Sequence, residues 1–250
     1  MNKRLVHITA VLLILSILAT SIIPVLAKPS PKLEKKVIIH YKKGYGKPPG
    51  TPGKGPDKDK TDEDGSYVLL AKGVMWKTTE NILVDTNIPT GLTQGFVTNT
   101  IATSAQTWQN NASYDLYGLI ETSSCNGIDT DTPDGLNEIM FGDYPDEGVI
   151  AVTIIWGIFS GPPSKREIVE FDMLFDIVDF TWGDCEIDPS VMDLQNIATH
   201  ELGHAFGLGD LYNTADNLET MYGYSSEGET IKRDLYYGDV AGIQSLYGAP

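Results

Sequence analysis

His200-Glu201-Leu202-Gly203-His204-Ala205-Phe206-Gly207-Leu208-Gly209-Asp210 gathers two imidazoles and two carboxylates into one short run. Histidines four residues apart on a helix project from one face, about one turn apart, which suits cis coordination of a tetrahedral metal. Glu201 flanks that face, so its carboxylate falls beside the metal and not on it, where a general base for peptide hydrolysis belongs. The stretch therefore reads as a zinc hydrolase site on a helix.

The remaining histidines narrow the ligand set. The chain has 4, and the other two are His7, in an apolar leader, and His40, in a Lys/Pro/Gly-rich segment. A zinc in the folded domain then needs a third ligand that is not histidine, and Asp210 is the candidate beside His200 and His204. Gly207 can adopt a positive φ, end the helix and bring Asp210 round to the metal.

Working outward, Met1-Asn2-Lys3-Arg4, an apolar run from about Ile8 to Leu26 and the small-residue site Val25-Leu26-Ala27 predict a secretory signal peptide over 1–27. An uncleaved membrane anchor is the alternative. Residues 28–65 are rich in Lys, Pro and Gly, with Val37-Ile38-Ile39 the main apolar cluster, and predict a propeptide or linker that builds no core. Residues 66–250 form the expected catalytic domain. After residue 60 only six basic residues face 31 acidic ones. Such a surface repels nucleic acid and anionic lipid and favours bound cations. The 2 cysteines, Cys125 and Cys185, predict one disulfide in an exported protein.

Periodicity predicts one strand region over 74–85, a helix over 93–110, and strands at 138–142, 149–156 and 168–175. In the last of these Val169, Phe171, Met173 and Phe175 alternate with Glu170, Asp172 and Asp176, which predicts one buried and one wetter face. The helix carrying His200 and His204 is expected to start after Pro189 with Ser190 as N-cap, and a third helix at Asp239. The fold class is α+β: a mixed twisted sheet with an active-site helix, a second long helix and a C-terminal helix.

These blocks resemble the matrixins among the metzincin metalloproteases. The resemblance rests on the zinc motif, on Thr220-Met221-Tyr222 where the family's methionine turn would fall, and on Gly238-Asp239-Val240-Ala241-Gly242-Ile243-Gln244-Ser245-Leu246-Tyr247-Gly248, which is similar to its closing helix. It covers about residues 73–250. The resemblance implies zinc at the base of a cleft, a protein or peptide substrate laid along an edge strand similar to Val149–Trp156, and a specificity pocket formed by Met221 to about Tyr236. Tyr222 and Tyr224 are candidates to assist the oxyanion. Three departures stand out. Asp210 replaces the usual third histidine; Val152 and Glu170 stand where a second, structural zinc would need histidines; and no cysteine is placed to serve as the family's propeptide thiol latch. Any latent form needs another group over the metal.

The implied function is a secreted zinc metalloendopeptidase with Glu201 as general base. The alternatives are a non-catalytic zinc-binding extracellular domain, against which Glu201 argues, and a calcium-stabilised domain resting on Asp129, Asp131, Asp134 and Glu138, whose spacing does not match an EF-hand loop.

Overall fold

The computed structural model describes residues 32–45 and 66–250. The leader at 1–27 and most of the 28–65 segment lie outside the described residues. Among those described, no helix is long and apolar enough to cross a membrane.

In chain order the strands are β1 (Glu34–Lys42), β2 (Val68–Leu69), β3 (Ile82–Asp85), β4 (Ile120–Ser123), β5 (Glu138–Gly142), β6 (Val149–Ile158), β7 (Glu167–Asp176), β8 (Trp182–Gly183), β9 (Met192–Asp193), β10 (Leu208–Gly209) and β11 (Tyr224–Ser225). The helices are α1 (Gln94–Gln109), α2 (Leu194–Ala205) and α3 (Tyr237–Tyr247). Seven strands form one sheet in the order β11-β1-β6-β7-β5-β3-β4. The pairs from β7 through β5 and β3 to β4 are parallel, and β6 runs antiparallel to both β7 and β1. The sheet is thus mixed, and the α+β expectation holds.

The strands of the sheet centre are buried on both faces. Along β6, Ala151 and Ile155 join the main core with α1 and α2, whereas Val149, Val152, Ile154 and Trp156 join a smaller cluster with Tyr41. Beyond Ile150, which also joins the main core, this is the period-2 alternation of a strand covered from both sides. On β7 the expected wetter face is absent, because Glu170, Asp172 and Asp176 are all buried. The loop before β5 covers two of them: the Asp129 N–H donates to Asp172 Oδ2 at 2.7 Å, and the Gly135 N–H donates to Glu170 Oε2.

α1 begins at its Thr93 cap, whose Oγ1 accepts from the Phe96 N–H at 3.1 Å. It buries Val97, Ile101, Ala105 and Trp108, and the Trp108 indole N–H donates to Thr199 O at 2.7 Å, joining it to α2. The core side chains of the two helices meet where Gly203 leaves no Cβ, since one there would lie 2.2 Å from Met221 Sδ and 2.7 Å from Trp108 Cζ2.

Several expectations are corrected. Only Ile82–Asp85 is a strand in the 74–85 region, Trp76 making a lone bridge to Ile168. α2 starts at Leu194 and not after Ser190, because Met192–Asp193 pairs with β8 and Asp193 supplies the cap. α3 starts at Tyr237, with Asp239 inside its first turn and its carboxylate accepting from the Tyr236 N–H at 2.9 Å. The disulfide is not formed: Cys125 follows the outer strand β4, Cys185 follows β8 and donates Sγ–H to Val191 O at 3.1 Å, and both are free thiols. Finally, the segment read as unable to pack contributes the nine-residue β1, inserted between β6 and β11. Its short apolar run Val37-Ile38-Ile39, flanked by charged residues and without period-2 alternation, hid a strand that pairs along its backbone with β6.

Candidate metal centre

α2 carries the sequence motif into the interior. Asp193 caps it, its Oδ1 accepting from the Asn196 N–H at 2.8 Å, and Leu194, Ile197, Ala198 and Leu202 face the core. His200, Glu201 and His204 are fully buried in the last two turns. Gly207, at φ +107°, then turns the chain, and β10 pairs with β2 to bring Asp210 back over the helix end. A side chain at 207 would be strained by this φ and would press on Leu246 and Val74.

The hydrogen bonds of the two imidazoles fix their tautomers. His200 Nδ1 lies 2.7 Å from Thr220 O and His204 Nδ1 lies 2.9 Å from Leu208 O. A carbonyl only accepts, so each Nδ1 carries the proton and each Nε2 presents its lone pair. Those two Nε2 atoms are 3.1 Å apart, and Asp210 Oδ1 sits 3.2 Å from one and 3.3 Å from the other. Three electron-pair donors are thereby aimed at one buried point. Ligands about 2.0–2.1 Å from a tetrahedral zinc stand roughly 3.3 Å from each other, so this spacing is that of three corners of such a site. The donor set His200, His204, Asp210 therefore fits zinc.

The turn through Glu219, Thr220 and Met221 holds His200 in place. The Thr220 and Met221 N–H groups donate to the Asp239 carboxylate at 2.6 and 3.0 Å, and the Glu219 carboxylate accepts from the Gly238 and Asp239 N–H groups at 3.0 Å each. Thr220 O, the acceptor for His200, is thus tied to the start of α3.

Burial opposes the charge on Asp210, yet the His204 and His200 imidazoles hold its carboxyl far below the usual range. Burial likewise disfavours charge on His204, but Asp210 outweighs it and the imidazole is raised to about 9. Burial, and then His40, pull His200 down to about 4. A metal bound at these nitrogens would displace any proton there.

Glu201 lies beside these donors. Burial raises its carboxyl above the ordinary range, against the pull of His200 and His204. Its Oε2 accepts from Thr153 Oγ1 at 2.5 Å, and its Oε1 lies 3.0 Å from His40 Nδ1. Motif spacing brought His200, Glu201, His204 and Asp210 together in the sequence, and the fold brings the same four together in space.

Three contributors had no signal in the motif. His40, set aside for its place in a polar segment, is fully buried against the site, with its ring centroid 4.0 Å from that of His200. Burial, followed by the Lys232 charge, pulls it down to about 3. Its scarcity, as one of only 4 histidines, was the available clue. Tyr212 meets Asp210: its hydroxyl donates to Asp210 Oδ2 at 2.8 Å, while Tyr224 packs edge-on against its ring. Buried Lys232 donates to Tyr224 O and Ser225 Oγ, each at 2.9 Å, fixing β11 beside β1.

A second acidic group lies on the opposite face of β7. Asp129 and Asp134 converge with Glu170, their ligand atoms lying within 4.8 Å of one another, whereas Asp131 is outside the group and Glu138 accepts from the Asn126 N–H at 3.2 Å. Glu170 Oε1 and Asp129 Oδ2 are buried without a partner. Of the calcium set expected from sequence, two of four residues meet, and β7 supplies the third.

The matrixin family profile matches residues 55–248. Among curated proteins, the metalloendoproteinase 1-MMP of Arabidopsis thaliana is 44% identical over 57 residues, 23% of this chain and 15% of that protein. Stromelysin-2 of Rattus norvegicus is 40% identical over 63 residues, covering 25% and 13%, and the Arabidopsis metalloendoproteinase 2-MMP is 42% identical over 60 residues, covering 24% and 15%. The chain thus aligns with only 13–15% of the length of these relatives. With the profile spanning most of the chain, the metzincin-like sheet and helices in place and the donor set assembled at the end of α2, this protein belongs to the matrixin family.

Proposed function

We propose that the chain is a secreted zinc-dependent metalloendopeptidase that hydrolyses internal peptide bonds, with His200, His204 and Asp210 holding the metal and Glu201 as general base. The observation that carries this reading is the convergence of three buried lone-pair donors beside a carboxylate that is not one of them. Zinc held there would polarise the peptide carbonyl and acidify water toward a pKa of about 7. Glu201 Oε1 accepts the proton of the attacking water and returns it to the leaving amine. Thr153 holds the other carboxylate oxygen, so that Glu201 keeps one orientation through both transfers. β6, whose Thr153 touches Glu201, is the strand along which an extended peptide would pair. Export rests on the apolar leader, and the activity and substrate class rest on the family's chemistry applied to these residues.

The test separates ligand from base. Asp210→Ala lowers zinc content and activity together, and Asp210→His restores zinc. Glu201→Ala keeps one zinc per chain and loses at least about 100-fold in turnover. Elemental analysis and a quenched-peptide assay read both. Full zinc with normal turnover in Asp210→Ala removes it from the ligand set, and an active Glu201→Ala overturns the mechanism.

Calcium is proposed as a second cation, at Asp129, Asp134 and Glu170. It is supported by the two buried carboxylate oxygens without a partner, since oxygen-only carboxylate sites suit a hard divalent ion.

A further inference from the structure

Two carboxyl groups that the hydrolytic mechanism does not use are buried together beside the turn that holds His200. Glu219 is 3% exposed and Asp239 is fully buried, and each is held by the backbone of the other's segment. Glu219 accepts from the Gly238 and Asp239 N–H groups in the first turn of α3, while Asp239 accepts from the Thr220 and Met221 N–H groups. The Tyr236 N–H also donates to Asp239 Oδ2. The clasp is therefore reciprocal. It joins α3 to the residue whose carbonyl, Thr220 O, stands 2.7 Å from His200 Nδ1.

The side chains of Glu219 and Asp239 are also hydrogen-bonded to each other, and a bond between two carboxyl groups needs a proton on one of them. Carboxyls that share a buried site do not both ionise readily, because each charge disfavours the other. Burial, and then the Asp239 charge, push Glu219 up to about 7, against the pull of its two backbone donors. Burial raises Asp239 as well, opposed by its three backbone donors and by Glu219. Lys232 faces Asp239 from the preceding turn, but its ammonium is paired with Glu229. The N-terminus of α3 favours one negative charge here, and the pair is complete with a single proton.

We propose that Glu219 and Asp239, sharing one proton, are a positioning pair that fixes Thr220 O and, through it, the imidazole of His200 for the metal. This rests on the reading of His200 as a zinc ligand and adds what sets its orientation. The hydrogen-bond partner of a metal-binding histidine fixes its tautomer and ring direction, and here that partner is a carbonyl held by the clasp. Once the shared proton is lost, two buried anions oppose each other and the Glu219 carboxylate draws away from α3. Thr220 O, in the next residue, moves with it. The protonated pair holds His200 below about pH 7 and the doubly charged pair releases it above. Zinc affinity ordinarily climbs with pH as ligands lose protons, so the clasp opposes that climb on the alkaline side.

The experiment measures zinc affinity of the full chain by chelator competition, at about pH 6 and about pH 8.5, for the unaltered protein, Glu219→Gln, Glu219→Ala and His200→Ala. Glu219→Gln gives up one backbone donor but cannot ionise, and its amide still donates to Asp239. Its affinity relative to the unaltered chain is therefore expected to rise about 10-fold between the two pH values. Glu219→Ala is expected to bind about 10-fold more weakly than the unaltered chain at about pH 6, with Glu219→Gln restoring part of the loss. In the zinc-loaded protein the Nδ1–H proton resonance of His200 is expected to shift between the two pH values in the unaltered chain and to stay fixed in Glu219→Gln. Parallel affinity profiles for these two chains overturn the proposal. So does a His200 resonance indifferent to pH in the unaltered chain, a measurement that needs no variant to fold. Full zinc affinity in His200→Ala removes the ligand reading and the clasp with it, whereas lost affinity there beside parallel profiles keeps the ligand and removes the clasp alone.

Discussion

At the residue scale, the support of the proposed ligands is as specific as the proposed ligands themselves. Tyr212 donates to the Asp210 oxygen that faces away from the histidines, and partners of this kind typically contribute a factor of 10–100 in metal affinity. Tyr212→Phe is accordingly expected to weaken zinc binding by roughly 10-fold or more while the fold persists, measured by competition with a chromophoric chelator. Unchanged affinity would mean that Asp210 is oriented by backbone alone. Helical spacing made the convergence of His200, Glu201 and His204 readable, and the positive φ open to Gly207 made the approach of Asp210 readable, because both are local properties of a short segment. His40 was not legible, since it reaches the site through pairing with a strand distant in sequence, whereas Tyr212 lies only two residues from Asp210 and was passed over because tyrosine carries no metal-ligand signal. Burial of a histidine in a lysine-rich strand leaves no periodic trace.

At the element scale, α2 is placed by its first residue as much as by its apolar face. Asp193 caps the helix, accepts from the Cys185 N–H at 2.9 Å through Oδ2, and forms an ion pair with Arg233. The expected start at Ser190 failed because Asp188 takes the Ser190 hydroxyl at 2.6 Å and Met192–Asp193 is drawn into pairing with β8. Local capping preference yielded there to a tertiary contact. Asp193→Ala is expected to cost at least about 2 kcal/mol, combining a lost cap with a guanidinium deprived of a buried partner. Asp193→Asn keeps a capping oxygen and costs less. Urea midpoints of the two variants give the comparison, and equal losses would assign the whole effect to the ion pair.

At the scale of the whole molecule, part of the acidity is buried, including Glu138, Glu170, Asp172 and Asp176 on two neighbouring strands. Glu170 is pushed up to about 7, first by burial and, beyond its hydrogen bond from Gly135, by neighbouring carboxylates. Asp172 is also pushed up to about 7, again chiefly by burial. Carboxylates whose folded pKa is raised contribute their full stability below the unfolded values, at about 4, and lose it as pH rises toward 7. Zinc-loaded protein freed of calcium should therefore show a falling Tm across about pH 4 to 7, with calcium flattening the upper end and Glu170→Gln flattening it without calcium. A Tm indifferent to calcium at pH 7 would remove the cation from this face. The α+β class was readable from periodicity, but the burial of Glu170 and Asp172 was not, because a loop more than 30 residues upstream covers them. The insertion of β1 between β6 and β11 also has a consequence for how the chain is made. Its partners at 149–158 and 224–225 are synthesised long after it, and closing so large a loop makes this pairing intrinsically slow. The first of the described strands to be synthesised is thus among the last to find its place, and until then β6 is an unguarded edge in a chain that is still folding.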